Sequence, residues 1–273
     1  MLIGKIDLSI HSPLIMGILN VTPDSFSDGN LYFSCDDAID YAKKLIDDGA
    51  DIIDIGGEST RPGSKQVSVE EEIRRVIPVI EGIRRNSDVP ISIDTTKSKV
   101  AALAIESGAD MLNDVSAGRF DPDMFAVAAQ TQRPICLMHM QGTPETMQKR
   151  PHYGDLLGEI RSFLKTAAES AISAGVDAKN IIIDPGIGFG KSAEDNLEIL
   201  RHLIKFKDLD FTLMVGPSRK SFIGKLLGLE VNERLEATLA TIPSCIQGNA
   251  SILRLHDVKS ARRFLDIYLK ICE

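Results

Sequence analysis

The chain has 273 residues, of which 43% are hydrophobic, and its 31 basic and 39 acidic residues give a formal net charge of -8. This length suits one large α/β domain, because roughly 250 residues is typical of a single (β/α)8 barrel. The negative charge disfavours nucleic acid and anionic membranes as partners, and no apolar run is long enough to cross a bilayer. We therefore expect one cytoplasmic domain over residues 1–273, with no nucleic-acid and no membrane partner.

The four cysteines are widely spaced and never form a CxxC pair. This spacing argues against a disulfide framework and against a zinc site. We expect ordinary thiols at Cys35, Cys136, Cys245 and Cys272.

The first third of the chain predicts a short hairpin at residues 2–12 and then a buried strand at 13–20. The segment VTPDSFSDGNLYF that follows Asn20 is rich in turn-forming residues and predicts a long exposed loop. After one helix and the strand ADIIDIGG, a second long loop begins at ESTRPGSKQ. Such long loops are uncommon unless they are functional, so both are expected at an active site.

Helix caps mark where the first two helices begin. Ser34 and Asp37 predict the start of the first helix, and Ser68 with Glu71 predicts the start of the second. Pro78 is expected to kink the second helix.

The rest of the chain repeats strand and helix in the same order. Strands are predicted at 90–94, 111–113, 135–138, 181–184, 211–215 and 252–254, and helices from Lys97, from Asp121, and at 155–173, 192–204, 233–246 and from Asp257. Pro243 should kink or split the seventh helix. Three segments, GADIIDIGG, GADMLNDVS and GNASILRLH, share one pattern and support a count of eight pairs. The fold predicted is an α/β TIM barrel, (β/α)8, with a doubly wound sheet as the alternative.

The segment IIIDPGIGFGK places Asp184 where a buried strand gives way to glycines. A carboxylate at that point is expected to face a ligand, and the glycines are expected to let the backbone turn sharply and approach a flat ligand closely. A Walker loop is excluded by Pro185, and a dinucleotide fingerprint is excluded by Lys191 at the last glycine position.

Polar residues stand at the carboxyl ends of most predicted strands, which form the working face of a barrel. Three of them, Asp94, Asn113 and Asp184, can together bind the edge of a flat heterocycle that carries an amidine or lactam. A second group of donors suits phosphate: Arg61, Lys220, Arg254 and His256. The strand ends also include Asn20, Gly57 and His139.

In long motifs along nearly its whole length, the chain resembles the dihydropteroate synthase family of pterin-binding enzymes. These motifs are MGILNVTPDSFSDG, GGESTRPG, SIDTTK, NDVSAG, LMHMQGTP, DPGIGFGK, GPSRKSFIG and RLHDV. The resemblance implies a transferase of folate biosynthesis, a sulfonamide target, that joins a dihydropterin methyl diphosphate to 4-aminobenzoate and releases pyrophosphate. It also implies Mg²⁺ on the leaving group and a homodimer.

The same resemblance implies a role for individual residues. The pterin would be held by Asp94, Asn113, Met138, Asp184, Phe189 and Lys220, and the diphosphate by Arg61, Arg254 and His256. The aminobenzoate would be flanked by Phe26, Thr60, Pro62 and Ser221, and Asn20 would bind Mg²⁺. Asn20, Asp94, Lys220, Arg254 and His256 would be catalytic.

Several alternatives stay open at this point. His139 is read as a strand-end histidine with satisfied hydrogen bonds rather than a catalyst, and Lys220 could instead be a Schiff-base lysine. Asp24 and Asp28 could be turn formers, although the resemblance favours a mobile lid. A pterin-dependent methyltransferase should lack the TPDSF and STRPG loops, and a silent pterin-binding paralogue should have lost phosphate donors; both loops and the donors are present. The segment TIPSCIQGNA departs from the family and is expected to affect packing or the dimer contact, not the site.

Overall fold

Eight parallel strands close into a barrel in the computed structural model, which describes residues 1–8, 13–22, 35–59, 63–64, 66–149 and 151–272. The barrel strands are β3 (Leu14–Asn20), β4 (Ile52–Gly56), β5 (Ile91–Asp94), β6 (Met111–Asp114), β7 (Ile135–Met138), β8 (Ile181–Asp184), β9 (Thr212–Val215) and β10 (Ile252–Leu255). They follow one another around the barrel, and β10 pairs with both β3 and β9. The predicted (β/α)8 barrel is therefore confirmed over the doubly wound sheet.

Helices surround the barrel between successive strands. They are α1 (Cys35–Asp47), α2 (Val69–Arg84), α3 (Ser98–Glu106), α4 (Met124–Thr131), α5 (Leu156–Ser173), α6 (Ala193–Arg201), α7 (Ser221–Leu227), α8 (Leu235–Leu239), α9 (Ile242–Gln247) and α10 (Val258–Cys272). The predicted cap at Ser68 is confirmed, because its side chain accepts a hydrogen bond from the Glu71 amide. Among the described helices, none has the length and apolar character that a membrane span requires.

The region around the seventh helix differs from the prediction. A separate helix, α7, follows β9 and ends at Gly228, whose φ of 71° suits a left-handed cap. The predicted helix at 233–246 is split into α8 and α9, with Pro243 in the first turn of α9, where a missing amide hydrogen costs nothing. The predicted split at Pro243 is thus confirmed. Ile242 and Cys245 are buried in the core, so this departure affects packing.

Alternate residues of each barrel strand face opposite sides, which places the polar residues inside the barrel. Ile53 and Ile55 of β4 pack in the large apolar cluster shared with the helices, whereas Ile52 packs in a smaller cluster inside the barrel. The N-terminal hairpin, β1 (Leu2–Ile3) and β2 (Ile6–Asp7), contributes Ile3 to that inner cluster and so closes one end of the barrel.

In a strand, residues two positions apart face the same side of the sheet. The residue two positions after each inner apolar residue therefore also faces the inside of the barrel, nearer the carboxyl end of its strand. Ile52, Met111, Ile182 and Ile252 belong to the inner cluster. The residues two positions on are Asp54, Asn113, Asp184 and Arg254. A layer of polar side chains therefore lies inside the barrel next to the inner cluster, on the side of the carboxyl ends of the strands.

Candidate functional site

A cleft opens at the carboxyl ends of the strands. It brings together all of the residues predicted to hold the heterocycle, with Arg254 beside them. Its lining consists of Asp94, Asn113, Val115, Met138, Asp184, Ile187, Phe189, Met214, Gly216, Lys220 and Arg254. Val115, Met138 and Phe189 belong to a separate apolar cluster with Met140 and Met147, so one wall of the cleft is apolar.

Arg254 is held between two carboxylates from different strands. Its Nε donates to Asp54 Oδ2 over 2.6 Å, and its Nη2 donates to Asp94 Oδ2 over 2.7 Å. Asp54 is fully buried and Asp94 is 7% exposed. Hydrogen bonds between charged partners in a dry environment are strong and directional. The guanidinium is therefore fixed in orientation, and Nη1 is the nitrogen without a hydrogen bond to a described residue.

Asp54, which was not among the residues predicted for the site, also orients the side-chain amide of Asn113. Asn113 Nδ2 lies 3.2 Å from Asp54 Oδ2 and donates to it. Because the side-chain nitrogen faces Asp54, the side-chain oxygen, Oδ1, is the acceptor that Asn113 can offer to a ligand. A lone aspartate in the middle of the buried strand IIDIG was the pattern that could have identified Asp54.

Asp184 ends β8 and is anchored by the loop that follows. Its Oδ1 accepts the Gly186 amide hydrogen over 2.7 Å. Gly186, Gly188 and Gly190 have φ values of 71°, 85° and 64°, so the predicted sharp turn is confirmed.

The glycines also permit a close approach to the protein itself, while the approach to a ligand stays a prediction. A Cβ at Gly186 would lie 2.0 Å from the His139 carbonyl oxygen, and a Cβ at Gly190 would lie 2.8 Å from the Gln141 carbonyl oxygen. The loop after β8 is thus packed against the backbone that follows β7, because neighbouring strands bring their end loops together.

Lys220 crosses the cleft above Phe189. Its ammonium lies 4.2 Å from the centre of the Phe189 ring, a cation–π distance. Its aliphatic stem passes Gly188, where a Cβ would lie 2.9 Å from Lys220 Cδ. The absence of a side chain at Gly188 therefore gives Lys220 its path into the cleft.

Burial shifts the pKa of the titratable groups in the cleft. It raises the pKa of Asp94 to about 7 and raises the pKa of Asp184, while the charge of Arg254 opposes both shifts. Burial and the nearby Arg254 lower the pKa of Lys220 to about 8. The Arg254 pKa is raised despite burial, because Asp54 and Asp94 hold its charge. The cleft therefore combines two acids whose pKa is raised with one cation, Arg254, whose charge is stabilised by carboxylates.

The two histidines differ in their surroundings. His256 lies within 2.9 Å of Ser218 Oγ through Nδ1, and burial followed by the charge of Arg254 lowers its pKa to about 3. His139 lies 3.0 Å from Lys191 through Nδ1 and packs edge-on against Phe163 at 4.9 Å. His139 Nδ1 thus has a hydrogen-bond partner, which agrees with the interpretation of His139 as a strand-end histidine.

Asn20 lies at the end of β3, beside Gly56, where the implied Mg²⁺ would bind. A Cβ at Gly56 would lie 3.7 Å from both Asn20 Oδ1 and Asp94 Oδ2, so the missing side chain leaves room near two oxygens. Mg²⁺ is commonly held by one or two protein oxygens together with substrate phosphates and water. The residues present fit the ion in that mode. In the part of the chain that the structure describes, no cluster of three histidine, cysteine or acidic residues offers an all-protein site.

The predicted loop residues Phe26, Thr60, Arg61 and Pro62 lie outside the described residues, as do Asp24, Asp28 and Ser34. Ser221 is described and is exposed at the start of α7.

The described ends of the second loop are joined by one acidic side chain. Glu58 Oε2 accepts the Val67 amide hydrogen over 2.9 Å and the Lys97 ammonium over 2.6 Å. Lys97 also pairs with the buried Glu72.

Comparisons with known proteins agree with this geometry. The model of the pterin binding enzyme family matches residues 16–256. A dihydropteroate synthase of Synechocystis is 53% identical over 247 residues, which cover 90% of this chain and 86% of the relative. The Escherichia coli dihydropteroate synthase is 45% identical over 252 residues, covering 92% and 89%.

Solved structures show the same similarity. A Yersinia pestis dihydropteroate synthase in complex with a sulfonamide drug is 41% identical and superposes with a TM-score of 0.92, covering 97% of this chain and 96% of that one. A Xanthomonas albilineans dihydropteroate synthase in complex with 7,8-dihydropteroate is 38% identical with a TM-score of 0.87, covering 97% and 95%.

Proposed function

This chain belongs to the pterin-binding enzyme family and matches its dihydropteroate synthases over most of its length. We propose how its own residues carry out the dihydropteroate synthase reaction. The activity is the condensation of (7,8-dihydropterin-6-yl)methyl diphosphate with 4-aminobenzoate to 7,8-dihydropteroate and pyrophosphate, a transferase step of folate biosynthesis. The assignment of roles rests on one observation. Asp94, Asn113, Asp184 and Lys220 line the same cleft at the carboxyl ends of the strands.

The pterin ring is recognised along its polar edge. The Asp184 carboxylate accepts paired N–H donors of the ring. The side-chain oxygen of Asn113, Oδ1, accepts another, because Asp54 binds the side-chain nitrogen instead. Lys220 donates to a ring acceptor and, with Phe189, bounds the ring from the other side. Met138 supplies apolar contact.

The leaving diphosphate requires cationic donors and charge. Arg254 and His256 stand at the end of β10 and just beyond it, and Arg61 of the second loop is the third proposed donor. Asn20 would hold Mg²⁺, which would supply positive charge where the departing diphosphate becomes negative. Ser221, Phe26, Thr60 and Pro62 are the proposed aminobenzoate contacts.

We expect the bond between the methylene carbon and the bridging diphosphate oxygen to break ahead of amine attack. The electron pair leaves with the diphosphate, and the pterin ring spreads the positive charge, which Asp94 favours when it is ionised. The aromatic amine then forms the C–N bond and releases its proton, and no strong base is needed because the amine is neutral at about pH 7.

The order of bond changes has its own test. Enzyme with pterin diphosphate and Mg²⁺ but no aminobenzoate should exchange bridging and non-bridging diphosphate oxygens. A turnover rate that rises steeply with the basicity of substituted anilines would instead indicate concerted displacement.

A coupled assay of pyrophosphate release with both substrates tests the function itself. Release should depend on both substrates, and mass spectrometry should detect 7,8-dihydropteroate. Methyl transfer to another acceptor would identify the pterin-dependent methyltransferase, and pterin binding without turnover would identify a silent paralogue. Either result overturns the proposal.

Homodimerisation and a cytoplasmic location complete the proposal. Leu226, Leu227 and Val231 expose 47%, 60% and 51% of their surfaces within six residues of chain, which suits a contact with a second copy. Light scattering after gel filtration should give twice the 29.8 kDa chain mass, and Leu227→Asp should lower it. The four cysteines are free, as is usual in a reducing compartment.

A further inference from the structure

Lys191 ends the glycine loop after β8 and is almost entirely buried, with 2% of its surface exposed. Its ammonium donates to the Phe189 carbonyl oxygen over 2.9 Å and to the His139 carbonyl oxygen over 3.3 Å, and it lies 3.0 Å from His139 Nδ1. No carboxylate of a described residue lies within ion-pair distance of it. A buried lysine is costly unless its donors are used, so its contacts call for a role.

The contacts of Lys191 join the two loops that form one side of the cleft. His139 directly follows β7, and Phe189 lies on the loop after β8. Phe189 in turn carries the Lys220 ammonium on its ring. Removing the Lys191 donors would release the loop backbone on which the positions of both Phe189 and Lys220 depend.

Gly188 and Gly190 of the glycine loop are held by neutral side chains. Asn196 accepts the Gly188 amide hydrogen over 2.6 Å, Gln148 donates to the Gly188 carbonyl oxygen over 2.8 Å, and the Tyr153 hydroxyl donates to the Gly190 carbonyl oxygen over 2.6 Å. Lys191 therefore supplies the cationic hydrogen bonds to the loop backbone, beside these neutral ones.

We propose that Lys191 is a positioning residue of the pterin cleft, which fixes the loop after β8 through its hydrogen bonds and, by its positive charge, supports the Asp184 carboxylate that receives the ring N–H donors. The inference rests on the proposed function, since it concerns the same cleft. Lys191 is not among the residues that line the cleft, so we expect it to act through Phe189, Lys220 and Asp184.

The charges around these groups support this role. Burial raises the pKa of Asp184, and the charges of Lys220, Lys191 and Arg254 lower it, with the Gly186 hydrogen bond acting in the same direction. Burial lowers the pKa of Lys191 to about 7, and Asp184 opposes that shift.

The other titratable groups complete the electrostatic setting. Burial lowers the pKa of His139 to about 2, so its ring is neutral and Nδ1 can accept from Lys191. The remaining charged or titratable side chains that act on these groups are Arg119, Cys136, Asp195 and Lys220. Lys191 and Asp184 thus form an electrostatically linked pair across the loop.

The test compares Lys191→Met with the wild type in pterin binding and in steady-state kinetics across pH. The substitution keeps the length of the side chain and removes its charge and donors. We expect the pterin Kd to rise about tenfold, within the range for residues coupled in one network. The acid limb of pterin affinity should move to higher pH, because Asp184 then protonates more easily, while the KM for aminobenzoate changes less than twofold. Lys99→Met, at an exposed position on α3, is the matched control.

The outcomes separate the inference from the function on which it rests. Wild-type enzyme that binds no pterin overturns the proposed function. Wild-type binding together with unchanged affinity and an unchanged pH profile in a folded Lys191→Met variant overturns the inference alone. A parallel loss of affinity for both substrates with no movement of the acid limb also overturns it, because that pattern indicates general loosening.

A second measurement does not require Lys191→Met to fold. The carbon-13 signal of the Lys191 ε-carbon, assigned in lysine-labelled enzyme, reports its titration. Asp184→Asn should lower the titration midpoint of Lys191, because the carboxylate charge that favours the ammonium is gone. An unchanged midpoint would show that the two residues are not linked and would overturn the inference.

Discussion

Arg254 Nη2 donates to Asp94 Oδ2 over 2.7 Å, while Nε of the same guanidinium donates to the fully buried Asp54 over 2.6 Å. The cation assigned to the leaving diphosphate is therefore also the counter-ion of two buried acids. Any change at Arg254 should affect the stability of the barrel and the chemical step together.

Replacing Arg254 with methionine should lower turnover by roughly 10²- to 10³-fold, the scale for losing one stabilising donor. It should also cost about 3–5 kcal/mol of unfolding free energy, because Asp54 and Asp94 lose their buried partner. Urea unfolding and steady-state kinetics measure the two effects.

Two further variants separate chemistry from folding at this position. Arg254→Lys keeps a charge near the acids but loses the planar pair of donors, so it should recover stability more than turnover. Arg201→Met, on the exposed surface of α6, should change neither. Near-normal turnover in Arg254→Met would remove Arg254 from the catalytic residues.

Replacing Asp184 with asparagine should weaken pterin binding far more than folding. An amide oxygen can still accept the Gly186 amide hydrogen, but it cannot accept two N–H donors of the ring, at a cost of roughly 1.5–3 kcal/mol per charged hydrogen bond. Calorimetry with a pterin ligand measures the affinity, and thermal unfolding provides the folding control. Unchanged pterin affinity would take Asp184 out of the binding site.

The sequence predicted the barrel because buried parallel strands and amphipathic helices alternate with regular spacing. It also predicted that Asp94, Asn113 and Asp184 would meet, since the carboxyl ends of barrel strands converge. Periodicity carries this information locally, within each strand.

Pairings between distant strands could not be predicted in the same way. Arg254 and Asp54 are 200 residues apart, and nothing in either local segment indicates that they share a hydrogen bond. The short α7 was missed because the segment SFIGKLLG has a central glycine and no side-chain cap at its N-terminus. The sequence indicated Lys191 only as the residue that breaks a dinucleotide fingerprint. The carbonyl oxygens that accept its hydrogen bonds come close to it only in the folded chain.

The pH dependence of stability should show the raised pKa of Asp94. Its carboxyl group has a pKa of about 7 when folded and about 4 when unfolded, so between these values the folded state holds more protons. Stability from this group is therefore lost as pH rises from about 4 to about 7.

Asp94→Asn mimics the protonated form and removes this titration. The unfolding free energy of the wild type minus that of Asp94→Asn, measured in urea at several pH values, should fall as pH rises through this window. Taking the difference cancels the opposite contribution of buried histidines such as His139. A difference that stays flat or increases would show that Arg254 keeps Asp94 ionised at all these pH values.

Two glycines with the same φ of 71° provide the last prediction, because alanine meets different surroundings at each. At Gly228, after α7, a Cβ has no neighbour within 4 Å, so Gly228→Ala should cost only backbone strain, about 1 kcal/mol. At Gly186 a Cβ would lie 2.0 Å from the His139 carbonyl oxygen, so Gly186→Ala should cost a further 1–3 kcal/mol, approximately, as the backbone shifts.

That backbone shift moves the Gly186 amide that holds Asp184, so pterin affinity should fall in Gly186→Ala and persist in Gly228→Ala. Chemical unfolding and calorimetry on both variants decide it, and equal costs with equal pterin affinity would show that the contact with His139 does not constrain the loop.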